Sequence, residues 1–314
     1  MPRKIVVYLC LVLFSGSSLQ AAEVQFPLTA KRILFMGDSI THAGHYIALI
    51  ETQLRMNGQA VPEMINLGLP SETACGLSEP DHPFPRPDVH ERLERALVKV
   101  KPDVVVACYG MNDGIYYPFS KDRFATYQQG IKRLIDKVHK SGAKLILMTP
   151  PAFDPLPLQK QGKLRGLGAE KYAWFAIYEN YDQEVLSRYA KWIVEQRDKV
   201  EMVIDLHTPV INYVAAKRKK NPDFTMSPDG VHVNNEGHSV LAAAIMKAWR
   251  IEQKPSSPEL LGVISKRQHL LHQAWVSHVG HKRPGVQAGM PIGKAQEAAA
   301  KMENQIRQLL KEIQ

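Results

Sequence analysis

Short runs of consecutive apolar residues alternate along this chain with longer stretches in which apolar positions recur every three or four residues. Lys31–Met36, Val61–Leu67, Asp103–Tyr109, Ala143–Thr149 and Val200–Leu206 are of the first kind. Apolar side chains on successive positions suit strands covered on both faces, as in a parallel sheet. Helical periodicity fills about 43–57, 88–100, 122–141, 180–198 and 235–250. Strands alternating with helices of ten or more residues need right-handed crossovers. The pattern therefore predicts an α/β fold, a three-layer α/β/α sandwich around a five-stranded parallel sheet. Functional groups in such sheets lie beyond the carboxyl ends of the strands.

Two segments fall outside the pattern. A basic start, Met1–Lys4, leads into the ten-residue apolar run Ile5–Phe14, a Ser/Gly stretch and the small exit Ala21-Ala22. That order predicts a secretory signal peptide over 1–22, and with it export to the periplasm or beyond. The run is shorter than the ~20 residues that span a bilayer, so no transmembrane helix is expected in the mature chain. After Gln253–Pro258, two further helices are expected over 259–279 and 293–313. The chain thus divides into a leader at 1–22, a body at 23–253 and a helical C-terminal extension at 254–314.

Composition narrows the class. With 45% hydrophobic and 23% charged residues the 314-residue chain is globular, and three cysteines are too few for a disulfide scaffold. The net charge of +9 could suggest a nucleic-acid partner, but its placement argues otherwise. The leader carries Arg3 and Lys4, residues 251–314 hold 9 basic and 5 acidic residues, and 23–250 hold 29 and 26. The run Lys217–Lys220 reads as a solvated loop, and no basic stripe with interleaved aromatics is present. Nucleic acid is not an expected partner.

The chemistry collects where strands end. The first strand runs into Gly37-Asp38-Ser39-Ile40-Thr41, which places Ser39 at a helix start where N–H groups favour negative charge. A plain helix N-cap is the bland alternative. Gly68 follows the second strand, where a missing Cβ would let a backbone N–H approach a substrate oxygen. The third strand ends in Gly110-Met111-Asn112-Asp113, and the Asn112 amide can donate to the same oxygen. Before the last helix of the body stands Asp229-Gly230-Val231-His232, in which Asp229 can orient His232 as a general base. Metal ligation by that pair is the alternative, but no further ligand cluster accompanies it.

Taken together, Gly37-Asp38-Ser39, Gly68, Gly110-Met111-Asn112-Asp113 and Asp229-Gly230-Val231-His232 resemble the sequence blocks of the SGNH-hydrolase, or GDSL-like, esterases. The likeness spans about residues 31–250. It implies a flavodoxin-like sandwich and a serine ester hydrolase working through an acyl-enzyme, with Ser39, Asp229 and His232 as its triad. It also implies an oxyanion hole of Ser39 N–H, Gly68 N–H and the Asn112 side chain, with no cofactor or metal. Pro70-Ser71 departs from the glycine-rich form of the second block. No Gly-x-Ser-x-Gly elbow is present, which argues against an ordinary α/β-hydrolase. The expected substrate is a short acyl, chiefly acetyl, ester of a carbohydrate. A lysophospholipase- or thioesterase-type lipid esterase, or a non-catalytic glycan-binding relative, is the alternative.

Segments 76–88, 111–119 and 150–178 are expected as loops on the active-site side. Their aromatics (Tyr116, Tyr117, Phe119, Tyr172, Trp174, Phe175 and Tyr178) are expected mainly to pack those loops. His207, His238 and Asp205 read as structural, and His269, His272, His278 and His281 as surface or packing residues rather than metal ligands. Cys108 reads as a buried strand thiol, with no bridge expected to Cys75.

Overall fold

A computed structural model describes residues 25–255 and 257–313. The expected leader over 1–22 lies outside the described residues. Five parallel strands form the sheet: β1 (Arg32–Gly37), β2 (Glu63–Asn66), β3 (Val104–Cys108), β4 (Lys144–Met148) and β5 (Met202–Ile204), in the order β2-β1-β3-β4-β5. That is the flavodoxin-like order, and it reverses direction beside β1. Leu34 pairs with Ile65 on one side and Val105 on the other, and Val105 pairs in turn with Leu145. All five β3 residues are buried, which explains its unbroken apolar run.

The expected first helix divides in two. The short α1 (Ser39–Ala43) ends at Gly44, whose φ of 71° turns the chain into α2 (His45–Met56). The remaining helices of the body are α3 (Val89–Val100), α4 (Lys121–Lys140), α5 (Leu156–Lys160), α6 (Ser187–Val194), α7 (His207–Arg218) and α8 (Asn235–Ala248). A π-helical turn, Tyr181–Leu186, leads into α6, and a 3₁₀ turn, Glu195–Asp198, follows it. The α3 and α4 helices pack together on the sheet, while α2 packs with α8. Trp249 and Tyr46 meet Phe35 of β1 between the sheet and that second pair.

One expectation fails at α7. The run Lys217–Lys220 is not wholly a loop: Lys217 and Arg218 form the last turn of a helix that the sequence reading did not expect. Pro209 sits at its third position, where a missing N–H costs nothing, although in sequence it looks like a helix breaker. Lys217 pairs with Glu236 at 3.0 Å, and Arg218 places Nη2 2.8 Å from both oxygens of Asp154. The segment after β4 is irregular, as expected, holding α5 and a short parallel pairing of Leu164–Arg165 with Ile177–Tyr178.

The extension forms α9 (Pro258–Val279) and α10 (Ile292–Ile313), which pack on each other. The α9 helix also lies against α2, α3 and the edge strand β2, so that edge is covered. Its anchor is Glu51 of α2, fully buried, which pairs with Arg55 at 2.7 Å and with Arg267, and accepts from Gln268 Nε2 at 2.5 Å. Arg55 in turn holds Glu303 of α10 at 2.7 Å. Near the other end His272, also buried, bonds through Nδ1 to the Asn66 carbonyl at 2.9 Å and through Nε2 to His42 at 2.9 Å. Burial, and then the His42 ring, hold His272 down to about 3, so it is neutral wherever the protein is folded near pH 7.

Candidate active site

Three of the residues singled out in the sequence meet at the carboxyl end of the sheet. Ser39 is the first residue of α1, carried there by β1 and held by Asp38, whose Oδ1 accepts the Ile40 N–H at 2.9 Å. Gly37 lets this turn close, since a Cβ there would stand 2.3 Å from Thr41 Oγ1. The Ser39 hydroxyl lies 2.8 Å from His232 Nε2, and His232 Nδ1 lies 2.6 Å from Asp229 Oδ2. The other Asp229 oxygen accepts the backbone N–H groups of Val231 and His232, at 3.0 and 2.8 Å. A carboxylate that fixes Nδ1–H leaves Nε2 free to take a proton from the serine.

The electrostatics agree with this geometry. The hydrogen bond that His232 Nδ1–H donates to Asp229 raises the His232 pKa above its ordinary value, against the opposing effect of burial. Burial alone would raise the Asp229 carboxyl, but the His232 ring and the two N–H groups outweigh it and bring it down to about 2. Burial lifts the Asp38 carboxyl to about 7.

Asn112 also reaches the cleft, with an orientation set from behind. Its Oδ1 accepts from Arg86 Nη1 at 3.0 Å and from the Tyr116 hydroxyl at 2.8 Å, while Nδ2 donates to the Glu72 carbonyl at 3.2 Å. Two donors on one oxygen settle which end of the amide is which, and Nδ2 keeps its second hydrogen. Arg86 is locked by a buried two-pronged pair with Glu79, at 2.6 and 2.7 Å. Asp113 accepts the N–H groups of Ala74 and Cys75 at 2.8 and 2.9 Å, tying the loop after β2 to the loop after β3. Arg86 and Glu79 escape sequence reading, because opposite charges in a proline-rich stretch look like a solvated loop.

Gly68 is not brought to the cleft. Its N–H donates to Asn66 Oδ1 at 2.8 Å, and it packs so closely on α1 that a Cβ would lie 2.2 Å from the His42 nitrogen. Its lack of a side chain serves this backbone contact. Gly68→Ala is expected to destabilise the protein by about 3 kcal/mol, since the obstruction is backbone and cannot swing aside. Urea unfolding would measure this. Ser71 occupies the cleft instead, at φ 67°, a left-handed conformation usual for glycine, and its N–H meets no acceptor among the described residues. The clue was the turn Leu69-Pro70-Ser71, where serine conceals a position that favours glycine.

The cleft holds about 260 Å³ and is bounded by Ser39, Ser71, Asn112 and His232 at its base. Loop 76–88 contributes Phe84 and Arg86, loop 111–119 contributes Tyr116, and the segment after β4 contributes Trp174. The packing expected of the aromatics holds for Tyr172 and Tyr178, both buried, but Trp174 is 50% exposed and Phe175 44%. One further lining residue, Arg283, comes from the extension. Among the described residues, Cys75 and Cys108 are buried free thiols.

A family model described as the GDSL-like lipase/acylhydrolase family matches residues 35–240. Among curated proteins none matches the chain. Solved structures resemble it in fold. A gut microbial diltiazem-metabolizing enzyme aligns with TM-score 0.54 and 20% identity, over 71% of this chain and 48% of the other, so the chain spans about half of that enzyme. An acetyl xylan esterase aligns with TM-score 0.51 and 24% identity, over 69% and 98% of the two chains. A variant of an acetyl-xylooligosaccharide esterase from Geobacillus stearothermophilus gives 0.50 and 20%, over 72% and 97%.

Proposed function

The chain belongs to the GDSL-like lipase/acylhydrolase family and is an ester-bond hydrolase, and from that premise we propose that it is an exported serine esterase removing short acyl groups, acetyl foremost, from carbohydrates. The observation that carries the reading is the relay from Ser39 through His232 to Asp229, at 2.8 and 2.6 Å. His232 Nε2 takes the Ser39 proton as the oxygen bonds to the ester carbonyl carbon. The tetrahedral oxyanion is met by the Ser39 and Ser71 N–H groups and by the spare hydrogen of Asn112 Nδ2. The leaving oxygen departs with the proton from His232, giving a free alcohol and an acyl-Ser39. Water then repeats the sequence, with His232 taking its proton and returning one to Ser39, and the carboxylic acid leaves.

The short acyl group is favoured by size. At about 260 Å³ the cleft falls just below the span typical of sites that enclose a whole drug-sized ligand. It suits a small acyl group whose alcohol portion extends past Trp174 at the rim. Two of the fold relatives are named for acetyl esters of xylan, which makes acetylated xylan the first polymer to test.

A panel of p-nitrophenyl esters from acetyl to dodecanoyl, with acetylated xylan and lysophosphatidylcholine beside it, tests the reading. Activity should be greatest at acetyl or propionyl and absent on the lysolipid. A maximum at long chains would overturn the proposed substrate. No turnover at all, with no labelling of Ser39 by an organophosphonate, would overturn the mechanism.

Asn112 separates donor from acceptor roles. Asn112→Ala is expected to lower turnover about 10²- to 10³-fold. It also leaves Arg86 Nη1 and the Tyr116 hydroxyl without their buried acceptor, at a cost of about 1–3 kcal/mol in stability. Asn112→Asp keeps an oxygen for both donors and removes the N–H, so it should lose the rate while retaining more of the stability. Kinetics and thermal unfolding on both variants would show the split.

A further inference from the structure

The substrate cleft is completed by the C-terminal extension, outside the 35–240 span that carries the family match. Arg283 follows α9 and turns back over the loop after β2. Its Nε donates to the Pro70 carbonyl at 2.8 Å, its Nη1 to the Pro284 carbonyl at 2.8 Å, and its guanidinium carbon sits 5.0 Å from the centre of the Phe84 ring. Pro70, Phe84 and Arg283 all line the cleft that holds Ser39 and His232.

Charge bookkeeping around the cleft isolates this residue. Arg86 is neutralised by Glu79, and nearby Lys171 is held by Asp81 at 2.9 Å. Asp229 is turned to the far side of His232. His82 gives Nδ1 to the Phe84 carbonyl at 2.5 Å. Among the described residues no carboxylate pairs with Arg283, and its Nη2 has no protein acceptor. Partial burial pulls its pKa below the ordinary arginine value, so an anion beside it would relieve an existing penalty. A planar guanidinium with free N–H groups, stacked on a ring and facing a cleft, is suited to gripping a carboxylate or sulfate.

We propose that Arg283 binds an anionic substituent, a carboxylate or a sulfate, on the acylated sugar whose ester Ser39 attacks, making the enzyme selective for acidic carbohydrates. The proposal rests on the carbohydrate-esterase reading above. It also gives the extension a role in substrate selection.

Three O-acetylated methyl glycosides test it on the full chain: the glucuronoside, the glucoside 6-sulfate and the neutral glucoside. Wild-type kcat/KM is expected to favour at least one acidic ester over the neutral one by about tenfold, chiefly through KM, the scale of one hydrogen bond to a charged group. Which acidic ester is favoured identifies the anion. The acidic-to-neutral ratio is read within each variant, so a general loss of activity cancels. Arg283→Gln should bring the ratio to about one, Arg283→Glu below one, and Arg283→Lys should keep part of it. The preference should also shrink as salt is raised. A wild-type ratio near one, or a ratio that Arg283→Gln and Arg283→Glu leave unaltered, would overturn the proposal and reduce Arg283 to a prop for the Pro70 carbonyl. Failure of the wild type on p-nitrophenyl acetate as well would instead remove the esterase reading beneath it.

Discussion

Ser39→Ala is expected to lower ester hydrolysis by about 10⁴- to 10⁶-fold while leaving the fold intact, the range seen when a serine nucleophile backed by histidine is lost. The size of the effect follows from the arrangement. Removing Oγ deletes the atom that bonds to the carbonyl carbon and leaves His232 with no proton to take. The oxyanion donors remain, since the Ser39 N–H is unaffected, so activity somewhat above that of water should persist. The fold should tolerate the change because Ser39 Oγ bonds to His232 alone among the described residues, and that contact is at the cleft surface. Rates on p-nitrophenyl acetate, with circular dichroism as the control, check both halves. A variant that hydrolyses the ester at the wild-type rate would remove Ser39 from the mechanism.

Asp229→Asn should cost nearly as much, about 10⁴-fold in turnover, because an amide in place of the carboxylate can hold the imidazole in the wrong tautomer. It also makes a prediction about pH. His232 must be neutral to accept the serine proton, so wild-type kcat/KM should rise with pH through a value above the ordinary imidazole pKa of 6.5. Asp229, brought down to about 2, stays ionised throughout that range. Replacing it removes the main cause of the raised His232 value, so the acid limb of the profile should move to lower pH. An acid limb that stays in place in Asp229→Asn would mean that a group other than His232 controls it.

The legible parts of this molecule are those set by local pattern. Consecutive apolar residues in Val104–Cys108 give a doubly covered strand, and the strand-to-helix turn at Asp38-Ser39 exposes a hydroxyl. Asp229 and His232 are three residues apart on one turn, so their pairing needs no knowledge of the rest of the fold. What stayed hidden depends on contacts distant in sequence or on backbone conformation. The Gly68 N–H looks available until the side chain of Asn66 is seen to occupy it. Ser71 gives no outward sign of its positive φ. The Glu79–Arg86 pair is buried only because the loops after β2 and β3 fold over it. The α7 helix was obscured by Pro209, a residue harmless in a first turn yet discouraging in a linear reading.

The buried carboxylate of Glu51 has a consequence in time as well as in space. Its partner Arg267 lies 216 residues further along the chain, and Gln268 lies 217. During synthesis from the amino end, Glu51 leaves the ribosome long before either residue exists. A buried carboxylate left short of partners is costly, which disfavours closure of that face of α2 in the nascent chain. Arg55, on the same helix, is the one partner Glu51 has from the start, so that face is expected to stay open to water until α9 is made. The docking of α9 that closes this face is also the event that brings Arg283 to the cleft lining, so both wait for the same distant stretch of chain.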